Sequence, residues 1–449
     1  MGTGYVGLVH GAALSGYGFN VSCMDVDEKK IAGLKRGISP IYEPGLDALL
    51  DNGIRSGKLT FTTSAREVVE SSDVIFIAVG TPAREDGAAD LSYVMDAVQS
   101  IGKHLNGDKL VVCKSTMPVG TSRRISLQLE AVAQSRGDGY RVEVASNPEF
   151  LRQGQSVEDA QTPSRVVIGT DSESARAKLR ELYQAHIVRD IPFLYTDWES
   201  AEMIKYASNS FLAVKISFMN ELALLTEQAG GNIEDIAKGM GLDSRISPHF
   251  LQAGPGYGGS CFPKDTQALL DIGRRLGEEL QVVGAAVSAN EKQKMKMVNK
   301  ISDIVSFGSG SLKGKTIAAW GLSFKPDTDD VRYAPSLDII PGLIGRGASV
   351  RAYCPQGMKG AERELGDAEG RIVYCASEAD SARGADAIVI LTEWDRFRRV
   401  NWQHISRSAR GKALIDLRNL FANDDAPKAL FQYYPIGSKG RSRLLLEAR

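Results

Sequence analysis

Short apolar runs separated by helical stretches occur twice in this chain. That alternation restricts it to an α/β architecture with largely parallel sheets. Asn20-Val-Ser-Cys-Met-Asp25, Val74-Ile-Phe-Ile-Ala-Val79, Leu110-Val-Val-Cys113 and Val142-Glu-Val-Ala145 read as buried strands in the first third. Thr316–Gly321, Ser349–Tyr353, Ala387–Leu391 and Ala413–Asp416 repeat the pattern near the C-terminus. Between them, Trp198 to about Ser302 is mostly helical. Glu199–Ala229 carries one apolar stripe of Met203, Ile204, Ala207, Phe211, Val214, Phe218 and Leu222, which suits a core or a dimer contact. Phe307-Gly-Ser-Gly-Ser-Leu-Lys-Gly314 reads as a linker or turn. A chain of 449 residues exceeds one ordinary core. The predicted divisions are 1–197, 198–302 and 303–437, followed by a frayed tail at 438–449.

Bulk properties narrow the function classes. A formal net charge of -1 gives no electrostatic footing for a nucleic-acid or membrane-surface partner. The apolar runs are of strand length, too short to span a bilayer. The 5 cysteines (23, 113, 261, 354 and 375) are scattered, odd in number and lack a CxxC pair, which fits a reducing, cytoplasmic setting better than a disulfide framework. The 5 histidines form no metal-ligand spacing, so no metal is expected. No basic segment leads into an apolar core at the N-terminus, so no secretory leader is expected.

Gly2-Thr-Gly-Tyr-Val-Gly7 matches GxGxxG, a pattern that is weak alone. Its support is Asp25, at the end of the next strand-like run. An acid there binds a ribose 2′-hydroxyl and repels a 2′-phosphate, which favours NAD over NADP. The helix after Gly7 directs its positive end at the pyrophosphate. Both α/β halves are therefore expected to be Rossmann-like and doubly wound, joined by a long central helix and a helical domain. The fingerprint should follow a buried strand, yet only Met1 precedes Gly2. The natural protein is expected to begin a few residues upstream.

The densest chemistry lies in Gly254-Pro-Gly-Tyr-Gly-Gly-Ser-Cys-Phe-Pro-Lys-Asp265. So many glycines rule out a helix interior or an ordinary strand. Pro263 suits a first helical turn, and Leu269, Ile272 and Leu276 continue on one face. Cys261 is therefore predicted at a helix N-terminus with Lys264 nearby, and both features favour a thiolate. An isolated cysteine in a turn is ordinarily a small buried hydrophobe; this setting argues for a nucleophile.

These segments occur in order with Val79-Gly-Thr-Pro82, Ser115-Thr-Met-Pro-Val-Gly120, Asn147-Pro-Glu-Phe-Leu-Arg152, Glu202-Met-Ile-Lys-Tyr-Ala-Ser-Asn209 and Gly321-Leu-Ser-Phe-Lys-Pro326. Over nearly its whole length, to about Gly437, the chain resembles the UDP-glucose/GDP-mannose dehydrogenase family. The resemblance implies four-electron oxidation of a nucleotide-sugar C6 alcohol to the carboxylate, with two NAD+ and one water. UDP-glucose is the favoured substrate, with GDP-mannose or a UDP-N-acetylhexosamine as alternatives.

What the resemblance implies for individual residues follows. Cys261 matches the nucleophile that carries a thiohemiacetal and then a thioester. Lys205 and Asn209 share a helix face as an i, i+4 pair and match residues that contact the reacting oxygen. Asp265 and Thr116 match a water-ordering carboxylate and a proton relay, and Glu149 matches a carboxylate of hydrolysis or proton transfer. Phe150, Leu151 and Arg152, with Phe250, Leu251, Gly254, Tyr257 and Gly258, match segments that hold the substrate. Phe324, Lys325 and Arg418 match further substrate contacts. Arg245 matches an arginine donated by a neighbouring subunit, which implies a homodimer or higher oligomer. On the cofactor side stand Gly2, Gly4, Tyr5, Val6, Gly7, Asp25, Lys30, Thr81, Thr116, Gln153, Lys264 and Arg332.

Three positions depart from the family pattern. Gln153 replaces a usual Glu, Cys354 a usual Asp, and Thr162-Pro-Ser-Arg165 a common Pro-Asp-Arg run. Two other readings compete with the enzyme. One is a nucleotide-sugar binding protein with impaired catalysis, and the other a thiol hydrolase pairing Cys261 with His249.

Overall fold

The computed structural model describes residues 1–137 and 139–439. Most of the tail expected at 438–449, from residue 440 on, lies outside them. The chain forms two compact units. One comprises Met1–Ser208 with Gln267–Glu279; the other comprises Asn209–Thr266 with the chain from Leu280. The helical span expected between the α/β halves is thus divided between the units.

In the first unit, strands β1 (Val21–Met24), β2 (Leu59–Thr62), β3 (Val74–Ile77), β4 (Lys109–Cys113), β5 (Val142–Ser146), β6 (Val166–Gly169) and β7 (Phe193–Thr196) alternate with helices. They form a two-stranded sheet β1-β2 and a five-stranded sheet β3-β4-β5-β6-β7. Pairing is parallel except where β5 meets β6 at Ser146 and Gly169. β4 is buried along its whole length, as the apolar run Leu110–Cys113 requires of a strand with parallel neighbours on both sides. Met1 and Gly2 lie between the two sheets. The terminal ammonium of Met1 donates to the Phe76 carbonyl at 2.6 Å. The Ala78 N–H donates to Met1 at 2.8 Å, and the Gly2 N–H to Met24 at 2.8 Å. This dipeptide holds the place at which a strand upstream of the glycine turn was expected.

The second unit holds one six-stranded parallel sheet. Its order is β10-β9-β8-β11-β12-β13, from β8 (Thr316–Trp320), β9 (Ser349–Tyr353), β10 (Ile372–Tyr374), β11 (Ala387–Ile390), β12 (Ala413–Asp416) and β13 (Gln432–Pro435). Trp320, Phe397 and Phe421 are fully enclosed in its core, where Trp320 meets Phe397 at 5.3 Å between ring centroids. The predicted linker falls between the helix ending at Ser306 and the start of β8.

The helix Trp198–Ala229 runs unbroken for 32 residues. Its predicted apolar stripe does not form the core of the chain: Phe211 is 65% and Phe218 52% exposed. The buried positions include Glu202, Lys205, Asn209, Ser217 and Asn220, all polar. Among the described residues, no helix is long and apolar enough to cross a membrane.

Candidate active site

The glycine turn is fixed by close contacts. A Cβ on Gly7 would lie 2.1 Å from the Gly2 carbonyl oxygen, and one on Gly2, at φ +98°, would lie 2.5 Å from that of Ala78. Neither position admits a side chain. Gly4 precedes the helix Tyr5–Gly16, which has no side-chain cap and no acid in its first turn, around Tyr5 and Val6. Nothing lies within 4 Å of a Cβ placed on Gly4. An open, uncapped helix start of this kind suits an anionic group.

Asp25 Oδ2 accepts from the Thr3 N–H at 2.9 Å, the Thr3 hydroxyl at 2.7 Å and Lys30 Nζ at 2.9 Å. Burial alone would raise its pKa, but these bonds outweigh that and hold it at about 2. An ionised acid beside an open helix terminus fits the ribose and pyrophosphate of NAD. Lys30 is already engaged with this carboxylate. Further along the unit, Thr81 donates to the Thr116 carbonyl at 2.8 Å and so ties the loop after β3 to the loop after β4.

A second cluster of the first unit forms beyond β5. Glu149 Oε1 accepts from Lys205 Nζ at 2.8 Å, with both side chains buried. The other Glu149 oxygen accepts the Leu151 N–H at 2.6 Å. Burial pushes Glu149 upward, but Lys205, the Leu151 N–H and Lys114 together draw it below the ordinary carboxylate value. Phe150 lies under the Arg165 guanidinium, 3.6 Å from its ring centroid, so the departing Thr162–Arg165 run supplies a cation for this aromatic ring. Arg152, expected on the substrate, pairs with Asp159 of its own segment at 2.6 Å. Gln153 is half-buried beside Gly154, whose N–H goes to Glu43.

The second unit holds the cysteine. Cys261 caps the helix Phe262–Leu276: its carbonyl accepts the Asp265 N–H at 2.8 Å, as the sequence predicted for a helix start. The thiol is half-buried, 3.8 Å from the Ser260 hydroxyl. Asp265 is fully buried, held by Asn209 Nδ2 at 2.6 Å on one oxygen and by Lys264 Nζ at 2.5 Å on the other. The Lys264 ammonium, expected near the thiol, is paired with the Asp265 carboxylate.

The loop before Cys261 shows why glycine recurs. A Cβ on Gly258 would meet the Tyr333 carbonyl at 2.1 Å, and one on Gly259 the Phe324 ring at 2.7 Å. Arg418 reaches the same loop, with Nη1 3.1 Å from a Cβ placed on Gly254, and it donates to the carbonyls of Leu391 and Phe324. Lys325 lies with its Nζ 5.9 Å from the Phe324 ring centroid. Leu251 is anchored in the core, and Phe250 takes a left-handed backbone at φ +63°. Sequence reasoning missed three buried amides that clamp this loop. Asn220 accepts the Gly254 N–H at 2.8 Å, and Gln293 donates to the Gly254 carbonyl at 2.9 Å. Asn290 accepts the Tyr257 N–H at 2.8 Å and donates to the Tyr257 carbonyl at 3.2 Å. An amide inside a helix carries no local signal of such a contact.

The remaining predicted contacts are engaged with neighbours. Arg332 pairs with Asp330 at 2.6 Å. Arg245 pairs with Asp243 at 2.5 Å while projecting into solvent. His249 is exposed. Among the described residues, no group of His, Cys, Asp and Glu is arranged to hold a metal ion.

Sequence profiles of one family match three successive segments. They are the NAD binding domain of the UDP-glucose/GDP-mannose dehydrogenase family at residues 1–187, its central domain at 199–292 and its UDP binding domain at 318–423. The UDP-glucose 6-dehydrogenase of Rickettsia felis is 43% identical over 439 residues, covering 98% of this chain and 96% of that protein. A UDP-glucose dehydrogenase structure from Pyrobaculum islandicum is 36% identical with a TM-score of 0.87, covering 97% of this chain and 96% of that one. A UDP-D-ManNAc dehydrogenase structure from Pyrococcus horikoshii is 29% identical with a TM-score of 0.83, covering 97% and 98%. The glycine turn and Asp25 thus lie within an NAD-binding domain, and NAD is the cofactor. With its three segments matched in order and 98% of its length shared with such an enzyme, the chain belongs to the UDP-glucose/GDP-mannose dehydrogenase family of NAD-dependent oxidoreductases.

Proposed function

We propose that this chain oxidises the C6 alcohol of UDP-glucose to the carboxylate, consuming two NAD+ and one water and releasing UDP-glucuronate and two NADH. The greater identity to UDP-glucose dehydrogenases than to the UDP-D-ManNAc enzyme favours this sugar. When bound, NAD+ is the hydride acceptor for both oxidations.

The observation that carries the chemical reading is the buried Lys205–Glu149 pair at 2.8 Å. It supplies a cation for a developing alkoxide and a carboxylate to receive a proton. Lys205 and Asn209, one turn apart on one helix, hold the C6 oxygen. At the aldehyde stage the Cys261 sulfur adds to C6, forming a C–S bond, and the oxygen takes the electron pair of the C=O π bond. After the second hydride is lost, C6 is a thioester. Water attacks it, the C–S bond breaks, and the sulfur leaves with the bonding pair. Glu149 and Asp265 accept the protons of that water, with Thr116 as relay. Arg418, Phe324, Lys325 and the Gly254–Gly258 loop hold the nucleotide sugar.

The exposed Phe211, Phe218 and Leu225 recur at heptad spacing on the long helix and support pairing with a second copy. Arg245 projects outward and is available to such a partner. No disulfide joins the described cysteines, which supports a reducing, cytoplasmic setting.

The test is an assay of the purified protein with UDP-glucose, GDP-mannose and UDP-N-acetylhexosamines. Two NADH per UDP-glucose are expected. One NADH per sugar, or UDP binding with no NADH at all, overturns the reading. Cys261→Ala should abolish acid formation and leave UDP-sugar binding intact.

A further inference from the structure

Lys114 is a second buried lysine near the Glu149–Lys205 pair. It follows β4 directly, and its side chain is almost wholly enclosed. Nζ donates to Asn147 Oδ1 at 2.9 Å and to the Asn147 carbonyl at 3.3 Å. Asn147 stands two residues before Glu149 and is pinned on its other sides as well. Its N–H goes to the Cys113 carbonyl at 2.9 Å, its amide donates to Val167 at 2.7 Å, and its Oδ1 accepts from the Tyr183 hydroxyl at 2.5 Å. The turn Asn147-Pro148-Glu149 is therefore fastened to β4 and β6, and Lys114 supplies two of those fastenings.

The charged and titratable groups around Lys114 come from several elements. Glu149 attracts its charge and Lys205 opposes it. His10, on the first helix, and His186 both feel its field, and its Nζ lies 6.0 Å from the Tyr183 ring centroid. Arg165 adds a further cation toward Glu149. Burial lowers the lysine to about 8. A neutral side chain of this length would satisfy the packing at far lower desolvation cost.

We propose that Lys114 is a positioning residue for Glu149. It locks the Asn147–Glu149 turn through two hydrogen bonds and adds a second buried positive charge that keeps the Glu149 carboxylate ionised for proton acceptance. The inference rests on the dehydrogenase reading above and goes beyond it by giving the buried lysine a task.

The experiment compares the full-length natural chain with Lys114→Met and Lys114→Arg in pH profiles of kcat and KM, alongside melting curves and calorimetric binding of UDP. Lys114→Met should lower kcat about tenfold or more, leave KM nearly unchanged, and move the acidic limb of kcat up by about one pH unit. Lys114→Arg keeps the charge and should restore the acidic limb. A Lys114→Met protein that melts and binds UDP like the natural chain, with its acidic limb unmoved, overturns the proposal. If Lys114→Met does not fold, Lys114→Arg decides: with the charge kept, the acidic limb of kcat should stay where it is in the natural chain, and an acidic limb moved up by about one pH unit overturns the proposal. Acid formation by Cys261→Ala overturns the parent reading instead, so the two failures are distinguishable.

Discussion

Asn209 Nδ2 donates to Asp265 Oδ2 at 2.6 Å, and Asp265 is fully enclosed. A residue of the long helix is thus joined to the first turn of the helix that Cys261 caps. Asp265→Asn keeps the shape but removes the charge that holds Lys264. We expect a stability loss of about 1–3 kcal/mol by urea unfolding, with a larger proportional loss of acid formation than of UDP binding.

Glu149→Gln leaves the Lys205 ammonium buried beside a neutral amide. The expected cost is about 3–5 kcal/mol of stability, with kcat reduced about 10²–10⁴-fold. The pH dependence has a definite sign. Glu149 lies below its ordinary value in the folded chain, so its stabilising contribution is complete above the ordinary carboxylate range. It is lost as pH falls through the lowered value. Melting temperatures of the natural chain and Glu149→Gln should therefore converge in acid; a constant gap would contradict the assignment.

Asp25 bears on cofactor choice. Asp25→Ser removes the acid beside the glycine turn and frees Lys30, so KM for NAD+ should rise and NADP+ should become a usable substitute. The ratio of kcat/KM for the two cofactors is the measurement, and an unchanged ratio would show that the discrimination lies elsewhere.

Phe211, Phe218 and Leu225 test subunit pairing. Phe211→Glu combined with Phe218→Glu places charges on the exposed stripe. The particle should shift toward the monomer in sedimentation equilibrium while its far-ultraviolet circular dichroism is retained. An unshifted mass would remove this face from consideration as the contact.

Much of the fold was legible because strong local signals lie in central strands. β4 is apolar without a break from Leu110 to Cys113, and Gly2 and Gly7 must be glycine for steric reasons. Of the strands that sequence reasoning omitted, β6 is short but wholly buried, and two others are weaker in kind. β7 has no fully buried residue, and β10 is three residues long at the sheet edge. The long helix was harder to divide between core and surface. Phe211 and Phe218 of its stripe face outward, while Tyr206, Ala213, Met219 and Ala223 are buried beside the polar Lys205, Asn209 and Asn220, each of which has a specific partner there. Cys261 stood out from its glycine-rich turn and the helix start after it, and Glu149 and Asp265 were singled out by the family resemblance. Lys114 and the three clamping amides could not be found in either way, since each draws its meaning from residues far away in sequence.

The amide clamp has a thermodynamic consequence. Asn220, Asn290 and Gln293 fix both backbone groups of Gly254 and of Tyr257 in the chain without any ligand. The conformational freedom of this glycine-rich segment is therefore surrendered when the protein folds, not when a sugar nucleotide arrives. A ligand docking against it meets preorganised carbonyls and N–H groups, so its contact free energy appears as affinity instead of being offset by loop ordering.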